Sequence, residues 1–362
     1  MLSESAKKSL EKQHYSLVGQ HSAVKVCGWT KNMINGLGGC YKLTFYGIMS
    51  NQCMQMTTSI SCANRCTFCW RGYKAPVSKE WKWGVDNPVM ILEDALKAHH
   101  KRLCGFKDSK KANQALYEKS LTVRHVALSL TGEPIMYPRI NELLTQCHAE
   151  GISTFLVTNA QYPESIRDLA PVTQLYISLD APTKELLKTV DVPLFPDYWE
   201  RLHKSLEYMK EKTHRTTIRL TMIKGLNDVD EEKYAQLIKK ANPDFLEIKG
   251  YMHVGESRER LSKEHMPTHE EVREWGQKIV SHLPEFKLMS EHVPSSVVLA
   301  AQKKFCIDNV WHTWIDFERF HELAVAQKPI LTQDYMKKTP KVGLSQKTTA
   351  EYFALLVKRR KK

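Results

Sequence analysis

Three cysteines lie within eight residues in the stretch SCANRCTFCW, at Cys62, Cys66 and Cys69. The spacing C-x3-C-x2-C differs from the paired C-x2-C units of most zinc ribbons. Three thiolates on one short loop can bind three irons of a cubane cluster and leave the fourth iron open to a substrate or cofactor. The alternative is a structural zinc site completed by a distant His or Cys, because structural zinc takes four protein ligands.

The overall composition excludes several classes of protein. The chain has 362 residues, of which 42% are hydrophobic, enough for one large α/β domain or two ordinary ones. It contains no apolar run of roughly 18 residues, and its N-terminus lacks the apolar stretch of a signal peptide. We therefore expect a cytoplasmic protein that does not enter a membrane and whose nine cysteines do not form disulfides.

The cysteines are unevenly distributed along the chain. Six of the nine fall between residues 27 and 69, which indicates that they act as ligands. The other three, Cys104, Cys147 and Cys306, are scattered, and we predict that each is a buried small hydrophobic residue.

The chain is basic, with 53 Lys and Arg against 40 Asp and Glu and a formal net charge of +13. A basic surface favours a polyanionic partner, and nucleic acid is the obvious one. A solvated surface with a basic tail, here KRRKK at 358–362, accounts for the charge equally well.

After the cysteine loop, short β-rich runs alternate with amphipathic helical ones. Repeating βα units predict a parallel sheet with a site at the carboxyl ends of its strands. Six or seven units favour an open, partial (βα)6-type TIM barrel over a closed one. The predicted barrel spans residues 56–299, flanked by extensions at 1–55 and 300–362. The predicted strands are 56–60, 123–130, 153–158, 174–179, 217–223 and 244–249, with a seventh at 286–291.

Glycine and polar residues follow these strands and collect on one rim, as a cofactor site there requires. The second strand is followed by TGEP (131–134), the third by TNA (158–160) and the fourth by DAP (180–182). The sixth strand continues into KGYMHVGES (249–257).

The cysteine loop after the first strand, with Phe68 before the last Cys, and TGEP after the second resemble the radical S-adenosylmethionine (SAM) superfamily. The resemblance implies a 4Fe–4S cluster on Cys62, Cys66 and Cys69 whose open iron is chelated by S-adenosylmethionine. Reductive cleavage of that cofactor yields a 5′-deoxyadenosyl radical. The residues implied to bind S-adenosylmethionine are Gly132, Glu133, Asn159, Ser178 and Asp180, of which the last three could equally be helix caps or turn residues.

A narrower resemblance lies in CANRCTFCWRG, EWKWGVDNP (80–88), KGYMHVGES and GGCYKLTFYGIMSNQCMQMT (38–57), which are similar to the 4-demethylwyosine synthases, carbon–carbon lyases of wybutosine biosynthesis. This resemblance implies a second 4Fe–4S cluster, on Cys27, Cys40 and Cys53, whose open iron could bind pyruvate. It also implies a lysine that forms an imine with pyruvate, which we assign to Lys42. The other candidate lysines are Lys25, Lys31 and Lys74.

The same resemblance implies the substrates. N1-methylguanosine, just 3′ of the anticodon in tRNA-Phe, would be condensed with pyruvate to 4-demethylwyosine. The guanosine must be splayed out of the anticodon stack to reach the barrel, and Trp70, Trp81 and Trp83 could stack on bases. The chain resembles the short archaeal form without a flavodoxin-like domain, so we expect a monomer reduced by an external flavodoxin- or ferredoxin-type protein.

Two other functions stay open at this point. A radical SAM methylthiotransferase also has three upstream cysteines and C-x3-C-x2-C, but it ends in a β-barrel, whereas residues 348–362 look helical. A zinc-bearing RNA-binding protein without catalysis is the second alternative, and metal analysis would separate it from both enzymes.

Overall fold

The computed structural model describes residues 2, 4–72 and 75–343. Within this part of the chain, one ten-stranded sheet dominates, in the order β1-β2-β3-β4-β5-β6-β7-β8-β10-β9. The strands are Ser16–Val18 (β1), Ser22–Lys25 (β2), Cys53–Thr57 (β3), His125–Leu128 (β4), Ser153–Thr158 (β5), Gln174–Ser178 (β6), Thr216–Met222 (β7), Phe245–Gly250 (β8), Phe286–His292 (β9), Val297–Gln302 (β10), Cys306–Ile307 (β11), Val310–Trp311 (β12), Trp314–Ile315 (β13) and Met336–Lys337 (β14).

Strands β3 to β8 are parallel neighbours, and helices connect them, which confirms the partial (βα)6 barrel. The helices are Glu4–Lys12 (α1), Gly28–Ile34 (α2), Tyr41–Tyr46 (α3), Pro88–Leu103 (α4), Gln114–Ser120 (α5), Ile140–Ala149 (α6), Pro163–Arg167 (α7), Lys184–Asp191 (α8), Tyr198–Lys210 (α9), Glu231–Ala241 (α10), His269–Ser281 (α11) and Phe317–Val325 (α12). No helix of the described residues is both long and apolar enough to cross a membrane.

Alternation along each strand separates two apolar cores, because successive side chains point to opposite faces of a sheet. In β5, Leu156 packs under the outer helices, whereas Phe155 and Val157 face the barrel interior. In β8, Leu246 and Phe245 divide in the same way. The inner face therefore carries the residues that enclose the site.

The predicted seventh strand exists, but its placement as a further parallel unit is wrong. Strand β9 pairs antiparallel with β10, and β10 pairs antiparallel with β8. β9 and β10 are joined by a short turn, and so form a hairpin rather than a βα crossover, and the hairpin inserts β10 beside β8. Side chains alternate between the two faces of a sheet in parallel and antiparallel strands alike. The residue pattern at 286–291 therefore could not indicate in which direction the strand runs.

The flanking segments join the barrel. Strand β2 pairs antiparallel with β3, and the predicted boundary at residue 55 falls inside β3. Helix α3 and the apolar side chains of Phe305, Phe320 and Tyr335 pack in the same cluster as the inner faces of β5, β6 and β8. An open six-stranded sheet leaves its interior uncovered, and these segments cover it. The predicted helix at 348–362 and its basic residues lie outside the described part.

Candidate active site

The loop with Cys62, Cys66 and Cys69 is held by backbone contacts on both sides. The Thr67 N–H donates to the Val190 carbonyl at 2.8 Å, and the Ser78 N–H donates to the Cys62 carbonyl at 3.1 Å. The Arg260 guanidinium donates to the carbonyls of Thr67, Cys69 and Arg71. This guanidinium, from the segment after β8, clamps the loop over the carboxyl ends of the strands.

The three sulfur atoms line a cavity of about 360 Å³ at that rim. Burial raises the pKa of Cys62 to about 12 and that of Cys66 well above its usual value. The buried Arg71 guanidinium faces these sulfur atoms: burial lowers its pKa, but Cys62 and Cys69 outweigh burial and raise it. Predicted cofactor residues line the same cavity, namely Gly132, Glu133, Asn159, Ser178 and Asp180.

Glu133 projects a carboxylate with a free oxygen into this cavity. Its Oε2 accepts from the Asn159 N–H at 2.9 Å, whereas Oε1 is buried and has no hydrogen-bond partner among the described residues. Burial raises the pKa of Glu133 to about 7. An unpartnered buried acceptor is costly unless a ligand supplies a donor, and an amino group suits it.

Asn159 and Asp180 differ in the hydrogen bonds that their side chains make. The Asn159 Nδ2 atom donates to the Cys62 sulfur at 3.4 Å and its Oδ1 accepts from the Gln161 N–H at 3.0 Å, so its side chain supports the loop. Asp180 is buried, and its Oδ1 atom has no partner among the described residues. Burial raises its pKa to about 6, although Arg219 lowers it. Ser178 lies half-buried at the end of β6.

Gly132 is required by its surroundings. Its φ is +66°, and a Cβ there would lie 1.9 Å from the Ser59 carbonyl oxygen and 2.8 Å from that of Ser61. We expect Gly132→Ala to destabilise the fold by at least about 1–3 kcal/mol and to displace the cysteine loop, because the clash adds to backbone strain. Urea unfolding and iron content measure this. Gly225→Ala is the matched control, with φ +73° and no atom near the added Cβ; equal losses in both variants would refute the clash.

Cys27, Cys40 and Cys53, far apart in sequence, line one second cavity of about 260 Å³. Ser50 ties their segments together: its hydroxyl accepts from the Cys40 N–H at 2.8 Å, and its carbonyl accepts from the Thr30 hydroxyl at 2.9 Å. Cys27 and Cys40 immediately precede helices α2 and α3, and Cys53 begins β3. Burial raises the pKa of Cys40 to about 12 and that of Cys53 to about 11.

Lys42 lines this second cavity, on the first turn of α3. Its Nζ lies 5.5 Å from the centre of the Tyr176 ring. Lys25 and Lys31 line neither cavity, and the Lys25 Nζ lies 4.7 Å from the Tyr15 ring centre. The fourth candidate, Lys74, lies outside the described residues.

Sequence reasoning missed two charged residues that line both cavities, Arg219 and Lys249, and a buried carboxylate beside them, Glu247. Arg219 on β7 and Glu247 and Lys249 on β8 point inward, where the parallel pairing sets Arg219 beside Glu247. The Glu247 carboxylate accepts from the hydroxyls of Tyr41 at 3.0 Å and Tyr46 at 2.9 Å. Charged residues inside strands that are covered on both faces are rare, and this signal is present in TIRLTM and FLEIKG.

The remaining cysteines differ in burial, and the tryptophans differ in location. Cys147 is buried as predicted, but Cys104 is exposed and Cys306 half-buried, so that prediction is wrong for these two. Each lies beside a short turn rather than under a helix. Trp70 lines the first cavity, whereas the Trp81 ring packs edge-on against His21 at 4.7 Å between centroids.

The residues present fit the groups that the sequence implied. Three sulfur atoms and an unpartnered carboxylate oxygen face each other across the first cavity, as a three-thiolate cluster and an amino-acid cofactor require. Three further sulfur atoms and a lysine line the second cavity. The two cavities share the lining residues Ser129, Arg219, Lys249 and Met252.

Comparison with known proteins agrees with this geometry. Residues 56–238 match the Radical SAM superfamily, and residues 240–302 match the family described as Wyosine base formation. The fold and the cysteine loop thus define a radical SAM protein.

The curated relatives include the S-adenosyl-L-methionine-dependent tRNA 4-demethylwyosine synthase TYW1 of Homo sapiens, 47% identical over 347 residues, or 94% of this chain and 47% of the relative. The synthase of Oryza sativa subsp. japonica is 48% identical, over 92% of this chain and 51% of the relative. This chain therefore spans about half the length of the curated relatives it matches.

Two solved structures align over almost their whole length. A TYW1 with a lysine-pyruvate adduct bound aligns with a TM-score of 0.75 and 35% identity, covering 84% of this chain and 97% of that one. An archaeal TYW1 aligns with a TM-score of 0.69 and 32% identity, covering 85% and 99%. This chain belongs to the TYW1 family of tRNA 4-demethylwyosine synthases.

Proposed function

We propose that this chain forms 4-demethylwyosine from N1-methylguanosine in tRNA-Phe and pyruvate. The observation that carries the proposal is the pair of adjoining cavities, each lined by three cysteines, with Lys42 in the second. A methylthiotransferase or a zinc-bearing RNA-binding protein offers no use for a lysine beside the second set of cysteines.

In the first cavity, Cys62, Cys66 and Cys69 would hold a 4Fe–4S cluster. The free Oε1 atom of Glu133 would accept from the amino group of S-adenosylmethionine, and Asp180 would accept from a ribose hydroxyl. When bound, the cluster and this cofactor would supply a 5′-deoxyadenosyl radical able to remove hydrogen from the N1-methyl group. Phe68 and Trp70 line the cavity and help to exclude water from it.

In the second cavity, Cys27, Cys40 and Cys53 would hold another 4Fe–4S cluster. The amine of Lys42 attacks the keto carbon of pyruvate, and water leaves as the imine forms. The imine holds pyruvate within reach of the first cavity, where the N1-methyl carbon radical would add to the keto carbon. The bond to the carboxylate carbon would then break, so that the unpaired electron leaves with that carbon, and the exocyclic amine of guanine would displace Lys42 as the ring closes. Orientation of this kind contributes to the rate because the reacting carbons meet within one enclosure.

The reaction itself is the direct test. The reconstituted protein receives tRNA that carries a deuterated N1-methylguanosine, pyruvate labelled at its methyl carbon, S-adenosylmethionine and a chemical reductant. We expect deuterium in 5′-deoxyadenosine and the label in a tricyclic nucleoside, both detected by mass spectrometry. A tRNA with unmethylated guanosine is the control. Sulfur incorporation into tRNA, or no modified nucleoside, would refute the proposal.

The second cluster has its own test. A Cys27→Ala, Cys40→Ala, Cys53→Ala triple variant is expected to keep about half of the iron and still to cleave some S-adenosylmethionine, but to form no product. Iron analysis and electron paramagnetic resonance measure the change. The control carries Cys104→Ala and Cys306→Ala, which line neither cavity. Full iron retention in the triple variant would show that these thiols bind no cluster.

We further propose that the rim of the barrel binds tRNA, and that the chain acts as a monomer reduced by a separate flavodoxin- or ferredoxin-type protein. Exposed Lys82 and Lys263 follow the carboxyl ends of β3 and β8, on the side of the first cavity. Lys210 and Lys239, which are also exposed, lie in the last turns of α9 and α10, at the opposite side of the barrel. Reversal of either lysine pair to glutamate changes the net charge of the protein by the same amount, so the two variants can be compared directly.

Reversing Lys82 and Lys263 to Glu is expected to weaken tRNA binding and to lower the salt slope of log K by about 1 per lost phosphate contact. Reversing Lys210 and Lys239 to Glu should change neither quantity beyond a small uniform shift. Filter binding at several salt concentrations measures both. Equal effects of the two pairs would argue against binding at the rim.

A further inference from the structure

Two cations line the wall that the two cavities share. Of the four shared lining residues, Arg219 and Lys249 are positively charged. Both project from the inner face of the sheet, Arg219 from β7 and Lys249 from β8. The roles assigned above use neither residue.

Both side chains are held in place by neighbours. The Lys249 Nζ donates to the Ser295 carbonyl at 2.8 Å, and Arg219 is hydrogen-bonded to Tyr41. Arg219 and Lys42 line the same second cavity, and both lie close to the Glu247 carboxylate, so the guanidinium and the proposed imine-forming amine face one enclosure. A preorganised pair of donors at this point can bind a planar anion.

The protein carboxylate nearest to both cations is already engaged. Glu247 lies beside Arg219 and Lys249, and both of its oxygens accept from tyrosine hydroxyls. The two cations can therefore donate to the carboxylate of a ligand that enters the shared wall of the cavities.

We propose that Arg219 and Lys249 bind the carboxylate of the keto acid at the junction of the two cavities. This inference rests on the proposed function, which supplies the keto acid. In pyruvate the carboxylate is bonded directly to the keto carbon, so an anchor beside α3 fixes that carbon over Lys42. It also directs the carbon chain toward the first cavity, which Arg219 and Lys249 also line.

The test compares pyruvate with pyruvamide, a neutral analogue that keeps the keto group. The reconstituted holoenzyme is incubated with either labelled compound, reduced with borohydride, and the label on the Lys42 peptide is measured against concentration. In Arg219→Met and Lys249→Met, half-saturation by pyruvate should rise about tenfold or more, since a charge-assisted contact is lost. Half-saturation by pyruvamide should stay near the wild-type value.

Lys212→Met is the matched control. Like Lys249, which donates to the Ser295 and Gly250 carbonyls, Lys212 donates to two backbone carbonyls, and burial lowers its pKa, but it lies at the far end of the barrel. Lys249→Arg, which keeps the charge, should restore part of the preference for pyruvate. Each comparison of the two compounds within one variant is independent of how much protein folds.

Three results would overturn the inference. Equal losses for pyruvate and pyruvamide would show a structural role. A shift confined to half-saturation by S-adenosylmethionine, measured as 5′-deoxyadenosine formation, would assign the cations to the methionine carboxylate. Unchanged trapping in both variants would exclude any role in binding. If the wild-type protein traps no pyruvate, the proposed function fails as well, which separates the two hypotheses.

Discussion

Single alanine substitutions of Cys62, Cys66 or Cys69 are expected to reduce 5′-deoxyadenosine formation to background. Each removes one of three thiolates, and the cavity offers no fourth cysteine sulfur to replace it among the described residues. The loss unmakes the cluster or changes the iron that must stay open. Liquid chromatography of 5′-deoxyadenosine after reduction with dithionite measures the activity without tRNA.

Cys104→Ala controls for the removal of a thiol, because Cys104 is exposed and lines neither cavity. It should keep wild-type iron content and cleavage. Iron content reported beside activity shows whether a variant has lost the cluster or only altered it. Undiminished 5′-deoxyadenosine formation in any of the three variants would remove the basis of the proposed radical chemistry.

Lys42→Arg is expected to lose product formation while keeping both clusters and the cleavage of S-adenosylmethionine. An arginine retains the positive charge at this position but cannot form the same imine. In the wild-type protein, borohydride reduction with labelled pyruvate should attach the label to the Lys42 peptide. Peptide mass spectrometry identifies the site, and the variant should take up no label.

The structure shows a further candidate for the imine-forming lysine, which the sequence analysis did not name. Lys249 lines both cavities, and burial, reinforced by the charge of Arg219, lowers its pKa to about 8. Lys25→Arg provides the control, since Lys25 lines neither cavity. Label on Lys249 or Lys25, or an active Lys42→Arg variant, would reject Lys42 as the imine-forming residue and leave the first cavity's chemistry untouched.

Local patterns in the sequence determined much of the barrel. The strand predicted at 153–158 is observed at Ser153–Thr158, and the strand predicted at 174–179 is observed at Gln174–Ser178. The hydrophobic pattern suffices to locate these strands, because both are central strands of the sheet and are buried along nearly their whole length. The predicted first strand, 56–60, instead begins at Cys53, where the chain approaches the second cavity.

Several residues of the first cavity were also predicted from sequence. Cys62, Cys66 and Cys69 share one loop, and Glu133, Asn159, Ser178 and Asp180 each follow or end a strand, so parallel pairing brings them to one rim. Their placement in one cavity agrees with that expectation. What each side chain binds stays a prediction.

Only the tertiary structure decided how the second cavity is built and how it meets the first. Spacing alone could not bring Cys27, Cys40 and Cys53 together, since their segments are joined through Ser50 and covered by the sheet. The antiparallel hairpin of β9 and β10 supplies Ser295, the partner of Lys249. Contacts of this kind join residues far apart in the chain, and their free energy depends on burial and pairing that local sequence patterns do not encode.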